Sequence, residues 1–390
     1  MSSMIVDCDS HFMPPDAFDD IDDRFRERAP KLCIGDDGLL KDIVFPGMPP
    51  KVAGTTPLGA PGSGAIMKGL CNIDVRMADY EKLGIERHFI LPQLSGWWSY
   101  LIDAELAVAM ARSYNRAILR LVQRYRGKIS GVALLPLQDV QAAKAEIIWA
   151  RANGFDAAVL DKVYPVKEHA FGEPLGNRAE LRPFFRTAEE MSMPLFLHNV
   201  QHGHRASNFM AFQRNGLHVF APQEGQMSLV SLITGGLLDE FPRLQFIFTE
   251  NGTGWIKPLI RRLDKALDGT LIDYDAEADS SGEKSGKLAE RLRSLRAFLP
   301  PEEFLEKNKK PARHYFKNNF SFTIETEEPE LPEAIEFLGA ERFLFATDYP
   351  HDDPGGRMKF QDVELLRANE KISEDAKESI RRRNAERLFG

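Results

Sequence analysis

Met4-Ile5-Val6-Asp7-Cys8-Asp9-Ser10-His11 is a short apolar run that ends in two side chains able to hold a metal. Side chains on a β-strand alternate faces with a period of two residues, so Asp9 and His11 point the same way and can converge on one ion. Far downstream, Phe343-Leu344-Phe345-Ala346-Thr347 delivers Asp348-Tyr349-Pro350-His351, a second apolar run that finishes in a carboxylate and a histidine. Two strands that each end in metal-ligand chemistry make a metal site the leading expectation.

Between these two runs the same kind of segment recurs. Short β-branched and aromatic stretches cover Met4–Cys8, His88–Leu91, Ser130–Leu135, Ala157–Leu160, Leu195–His198, Gln245–Thr249, Asn319–Ile324 and Phe343–Thr347. They alternate with amphipathic stretches that predict helices over Asp103–Tyr125, Val140–Asn153, Arg178–Met191, Gln226–Glu240, Thr253–Leu267 and Pro329–Leu338, with a last one at Lys371–Arg387. Eight βα units in one chain predict an α/β fold of the (β/α)8 TIM barrel type. An open doubly wound sheet is the structural alternative, but no Gly-x-Gly-x-x-Gly follows the first strand. Two segments break the rhythm within what is otherwise a single domain. The Pro- and Gly-rich stretch 12–70 follows the first strand, where loops build the mouth of a barrel, and is expected to be a lid-like insertion. The Ser-, Gly- and charge-rich stretch 275–287 is expected to be a mobile surface insertion.

The 390 residues, 43% hydrophobic and 28% charged, fit one elaborated soluble domain. A net charge of −8 argues against a nucleic-acid or anionic-membrane partner, since both require a concentrated cationic face. The one basic cluster, Arg381-Arg382-Arg383, is expected to lie on a solvated helix face. Cys8, Cys33 and Cys71 show neither a pairing pattern nor CxxC spacing, so no disulfide framework or thiolate zinc cluster is implied and a reducing cytoplasm fits. The sequence shows no secretory signal and no uninterrupted apolar run long enough to span a membrane.

In a barrel the carboxyl ends of the strands face one pocket, so a ligand set can be assembled from positions hundreds of residues apart. Strand one ends in Asp9 and His11, strand five in His198, strand six in Glu250 and strand eight in Asp348. Zinc accepts imidazole nitrogen and carboxylate oxygen in this kind of mixture, with a position open for water or substrate. Taken singly, a buried Asp can cap a helix and a lone His198 can be a satisfied core histidine. It is their convergence that points to a site. Near the expected mouth, His202, His204 and Arg205 follow strand five, and the planar fork of Arg205 suits a carboxylate. Trp97, Trp98 and Trp255 can wall a pocket for a flat substrate, or simply pack in the core.

The chain resembles the metal-dependent amidohydrolase superfamily, in the branch that contains aminocarboxymuconate-semialdehyde decarboxylase and the aromatic-acid decarboxylases. The resemblance runs through Val6-Asp7-Cys8-Asp9-Ser10-His11 with Pro14-Pro15, Pro194-Leu195-Phe196-Leu197-His198, Phe241-Pro242-Arg243-Leu244 leading to Glu250-Asn251-Gly252-Thr253-Gly254-Trp255, Ala346-Thr347-Asp348-Tyr349-Pro350-His351 and Asn384-Ala385-Glu386-Arg387-Leu388-Phe389-Gly390. It implies that Asp9, His11, His198 and Asp348 surround one divalent ion, zinc first and manganese second. Catalytic roles are expected of Asp348, Glu250 and His198, and substrate contacts of His204, Arg205, Trp255 and His351. The chain departs from the family pattern at two of these positions: Asp9 stands where His or Glu is usual, and Glu250 stands in place of a sixth-strand histidine. Lys162 follows strand four, where bridging lysines occur in two-metal relatives; it is read as a rim residue, and one metal is expected.

The leading function is a divalent-metal-dependent, non-oxidative decarboxylase of a small aromatic or unsaturated acid. The alternative is a hydrolase that uses a metal-activated water on a C–N, C–O or C–C bond. A barrel that has lost catalysis and only binds a ligand is the third reading. The expected partner is a small-molecule substrate, with a homodimer allowed.

Overall fold

In one parallel sheet, a two-residue strand, His11–Phe12, paired with Leu91–Pro92, joins eight short, almost wholly buried barrel strands: β1 (Val6–Asp7), β2 (Arg87–Pro92), β3 (Ile129–Leu134), β4 (Ala157–Leu160), β5 (Leu195–His198), β6 (Phe246–Thr249), β7 (Phe320–Thr323) and β8 (Phe343–Leu344). Each pairs with the next in sequence order and in parallel register. Strands covered on both faces read as continuous apolar runs, which is why Leu195–His198 and Phe246–Thr249 show little alternation. The seam between β8 and β1 is joined beyond the strand ends, where Cys8 N donates to Phe345 O (2.8 Å), Asp348 N to Asp9 O (2.9 Å) and His11 N to Tyr349 O (2.6 Å). The result is the (β/α)8 barrel expected from the sequence, with the two metal-capable motifs brought side by side at the seam. This computed structural model describes residues 4–36, 40–44, 46, 68–92, 101, 103–161, 163–166, 169–198, 216–267, 310–350 and 361–390.

Helices cross over between the strands, and several begin where a short polar side chain takes the free backbone N–H groups. Asn72 caps α1 (Ile73–Leu83), Asp103 caps α2 (Ala104–Arg124) and Asp139 caps α3 (Val140–Ala152). Helix α1 escapes a reading based on apolar periodicity because the two side chains it buries, Arg76 and Tyr80, both carry polar heads. The helix expected to start at Gln226 starts at Gly216 and runs through Pro222. Proline removes one N–H but does not end the helix here. The C-terminal helix is present as Glu374–Glu378, a π-helical turn at Ser379–Arg383 and Asn384–Phe389. Arg381 in that turn is buried rather than solvated, with Nη2 bonded to Glu378 at 3.0 Å.

One end of the barrel is plugged. Phe389 packs against Phe89 of β2 (ring centroids 4.2 Å apart) and against Phe196 of β5 (6.0 Å). Phe196 and His198 lie two residues apart and share a face, so the plug sits below and the histidine above it, at the carboxyl ends of the strands.

The stretch after β1 leaves and returns at one place, since Met13 N donates to Leu70 O at 2.8 Å. Its first part buries Phe12, Met13, Ala17, Phe18, Ile21 and Phe25 and continues into an antiparallel hairpin, Lys31–Ile34 with Leu40–Val44. A second hairpin, Val163–Val166 with His169–Pro174, follows β4. Residues 47–67 and 275–287 lie outside the described residues. Among the described residues, Cys8 and Cys71 are buried and Cys33 exposed, all three as free thiols, and no helix is long and apolar enough to cross a membrane.

Candidate metal centre

Asp9, His11, His198 and Glu250 come together at the carboxyl ends of β1, β5 and β6, each offering one donor atom, with all four atoms within 4.8 Å of one another. His198 Nε2 is 3.0 Å from His11 Nε2 and 2.9 Å from Glu250 Oε1. His11 Nε2 is 3.4 Å from Glu250 Oε1, 3.7 Å from Asp9 Oδ1 and 3.3 Å from Asp348 Oδ1. Asp348, expected among the ligands, thus meets the cluster through His11, while Glu250, expected as a catalytic group, is one of the four mutually close donors. Asp348 is also the open member, with 39% of its side chain exposed against 1% for Asp9.

Two carboxylates flanking the strand ends occupy unusual backbone. Glu250 (φ 54°) and Asp348 (φ 53°) are two of the three described non-glycine residues in the left-handed region. Strain of this kind costs about 1–3 kcal/mol per residue and persists where the surroundings enforce it. At Glu250 the surroundings are visible. Glu328 accepts from Thr253 N (2.7 Å), Thr253 Oγ1 (2.6 Å) and Gly254 N (2.8 Å), and Trp255 Nε1 donates to Asn251 O (2.7 Å) and Gly252 O (2.9 Å). The Trp255 ring packs on Phe316 and Phe322, so this tryptophan braces the turn that carries Glu250.

At the seam the bracing residue is Asp7, which sequence reading left without a role although it stands inside the first motif. Fully buried, it accepts from Asp9 N (3.1 Å), Tyr80 Oη (2.7 Å), Thr347 N (3.1 Å) and Thr347 Oγ1 (2.6 Å). One carboxylate therefore fixes both chain segments that lead to Asp9 and Asp348. Lys162, His202, His204, Arg205, Trp97, Trp98 and His351 lie outside the described residues.

The donor set fits a divalent cation. Donor atoms about 2.0–2.2 Å from a common ion stand about 3.0–3.5 Å apart at adjacent positions, close to the spacing found here. Asp9 Oδ1 is buried and accepts no hydrogen bond among the described residues. Two imidazole Nε2 atoms facing each other, with carboxylate oxygens beside both, make a cation the natural occupant.

The electrostatics of the metal-free cluster agree. Burial works to discharge His11, but hydrogen bonds to Asp348 and Glu250 win and push it up to about 10. Burial, then Glu250, push Asp9 well above the usual carboxylate range. Burial also opposes the Glu250 carboxylate, yet His198 and His11 hold it well below its usual value. Burial lowers His198. Glu325, just past β7, is pushed up to about 7 by the enclosing protein and then by Glu328, Glu250 and Asp348, although its side chain reaches solvent.

Ligands bind in their deprotonated forms, so metal uptake at pH 7 is expected to release at least one proton, from His11 first. Calorimetric titration of metal-free protein in two buffers of different ionisation enthalpy measures that number, and zero would contradict it. In the metal-free protein the raised His11 pKa stabilises the fold fully below its unfolded value near 6.5, and this contribution is lost as pH rises towards about 10.

The family model described as Amidohydrolase matches residues 6–390. The chain belongs to the amidohydrolase family. This amidohydrolase is 25% identical over 302 residues to the gamma-resorcylate decarboxylase of Rhizobium sp. (strain MTP-10005), covering 74% of this chain and 78% of that protein. Its fold is similar to the 2,6-dihydroxybenzoate decarboxylase from Rhizobium, with a TM-score of 0.69 at 20% identity over 99% of this chain and 98% of that one. It is equally similar to a mutant of 5-carboxyvanillate decarboxylase from Novosphingobium aromaticivorans DSM 12444, solved with bound manganese and a nitrobenzoic acid, with a TM-score of 0.69 at 20% identity over 100% and 97% of the two chains. The amidohydrolase is an enzyme of this superfamily with a site competent for a divalent metal.

Proposed function

We propose that this amidohydrolase is a divalent-metal-dependent, non-oxidative decarboxylase of a small hydroxylated aromatic or unsaturated acid. The observation that carries the reading is the convergence of Asp9, His11, His198 and Glu250 on one point, with the open carboxylate Asp348 beside it. The relatedness to gamma-resorcylate decarboxylase supports it. Zinc is the first candidate for the ion, from the two imidazoles. Manganese is the second, from the carboxylate share of the set and its presence in the 5-carboxyvanillate decarboxylase neighbour.

Bound by these four residues, the cation would supply Lewis-acid stabilisation of the negative charge that builds on a substrate oxygen. The protein residues do the rest. The buried strand ends hold the substrate against solvent and fix its orientation. Asp348, the most open of the carboxylates around His11, takes a proton from solvent and delivers it to the ring carbon as the carbon–carboxylate bond breaks, and is left as the carboxylate. The electron pair of that bond becomes the new C–H bond, and carbon dioxide leaves without any redox change. Arg205 and His204, a few residues beyond His198 in sequence, are assigned to the substrate's acid group, with His351 beside them, while Trp255 serves by bracing the turn that carries Glu250. The excursion that leaves and rejoins the barrel at Met13 and Leu70 is assigned the part of a lid.

The test is a panel of hydroxylated aromatic acids assayed for carbon dioxide release, beside ester and amide substrates. Carbon dioxide from at least one acid is expected. Release of an alcohol or amine from the esters or amides, with the acids untouched, would replace this reading with metal-dependent hydrolysis.

A further inference from the structure

Behind the ligand cluster lies a buried ionic group that the chemistry above does not use. Arg76, on α1, has no solvent exposure. Its Nη1 donates to the His11 carbonyl at 2.7 Å, its Nε to His88 Nε2 at 3.1 Å, and its Nη2 to the Ser10 hydroxyl and to Tyr80 Oη at 3.4 Å. The guanidinium carbon stands 5.0 Å from the Tyr80 ring centroid and 4.9 Å from that of Tyr349. Arginine offers donors only, so His88 Nε2 is the acceptor and the His88 ring is neutral, with its proton on Nδ1. Burial, and then Arg76 itself, hold His88 well below its usual value.

We propose that Arg76 is a positioning residue for the metal ligand His11. Ser10 and His11 lie past the end of β1, where the chain pairs with β2 again: His11 stands in parallel register with Leu91, and Leu91 N donates to Ser10 O at 2.8 Å. On one side His11 N donates to Tyr349 O at 2.6 Å; on the other, the His11 carbonyl is held by Arg76. With both peptide groups of His11 held, the direction of its side chain is fixed. The Ser10 hydroxyl, which accepts from Arg76, passes the constraint on by donating to Phe89 O of β2 at 2.6 Å. The same guanidinium faces Tyr349, the neighbour of Asp348, so it bears on both segments of the seam. A planar fork can reach these partners at once, whereas a lysine ammonium cannot. Outer partners of metal ligands act in this way by fixing orientation.

The proposal rests on the metal-centre reading, and its test separates the two. Arg76→Lys and Arg76→Met are compared with native protein for zinc and manganese affinity, by competition with a chromogenic chelator, and for Tm of the metal-free form. Phe155→Leu, a buried truncation at the amino ends of the strands, serves as a control for general destabilisation. Arg76→Lys is expected to weaken metal binding by about 10–100-fold. Phe155→Leu is expected to lower Tm and leave metal affinity at the native value. A tight native site that Arg76→Lys leaves unaltered overturns the positioning role alone. Native protein that takes up neither metal overturns the metal centre itself, and this inference with it. If neither Arg76 variant folds, Ser10→Ala decides: it removes one acceptor of the guanidinium, a weakened metal affinity supports the role, and an unchanged one overturns it.

Discussion

Replacing His198 with alanine is expected to remove bound metal and turnover together while leaving a folded barrel. His198 Nε2 stands within 3.0 Å of both His11 Nε2 and Glu250 Oε1, so its loss takes one of four donors from the centre of the cluster. The chelate that remains has Asp9 and Glu250 beside a His11 that carries a proton up to about 10, so the proton competes for the vacated place. Changes in outer partners of a ligand cost about 10–100-fold in metal affinity, and deletion of a ligand is expected to cost more than that. Metal content and steady-state turnover of the same preparation, with circular dichroism to confirm the fold, check this. Retention of both metal and turnover would show that the cluster is not the working site.

Asp348→Asn is expected to separate chemistry from metal binding. Asparagine is among the few residues that tolerate the left-handed backbone found here at φ 53°, so the turn is kept. The change removes a group that can carry a proton, and proton transfer by a positioned side chain contributes about 10²–10⁴-fold. A fall of that size in kcat, with bound metal retained, is expected. An unchanged kcat would take the proton-transfer role away from Asp348, and a loss of metal would make it a ligand in its own right.

The barrel was legible because a strand buried on both faces must be an apolar run, and runs such as Leu195–His198 and Phe246–Thr249 stand out from the polar helices between them. Strand ends were legible for a related reason: Asp9, His11, His198, Glu250 and Asp348 are charged or imidazole groups set directly against apolar stretches. The left-handed backbone at Glu250 and Asp348 was not, since a positive φ redirects a side chain in a way that strand periodicity does not encode. Arg76 gave no signal because an arginine in a polar helix reads as solvated, and its burial becomes visible only when the seam folds over it. Asp7 was hidden by its neighbour: a carboxylate two residues before Asp9 shares its strand face, yet it spends its oxygens on Tyr80, Thr347 and the Asp9 backbone. The same limits apply to Arg381, whose cluster of three basic residues suggested solvent while the π-helical turn directs it inward.

The central claim is that Asp9, His11, His198 and Glu250 hold one divalent ion. Elemental analysis of protein purified with neither added metal nor chelator tests it most directly. About one zinc or manganese per chain is predicted, in keeping with a single four-donor site. No bound metal, with none taken up after incubation with either ion, would contradict the account.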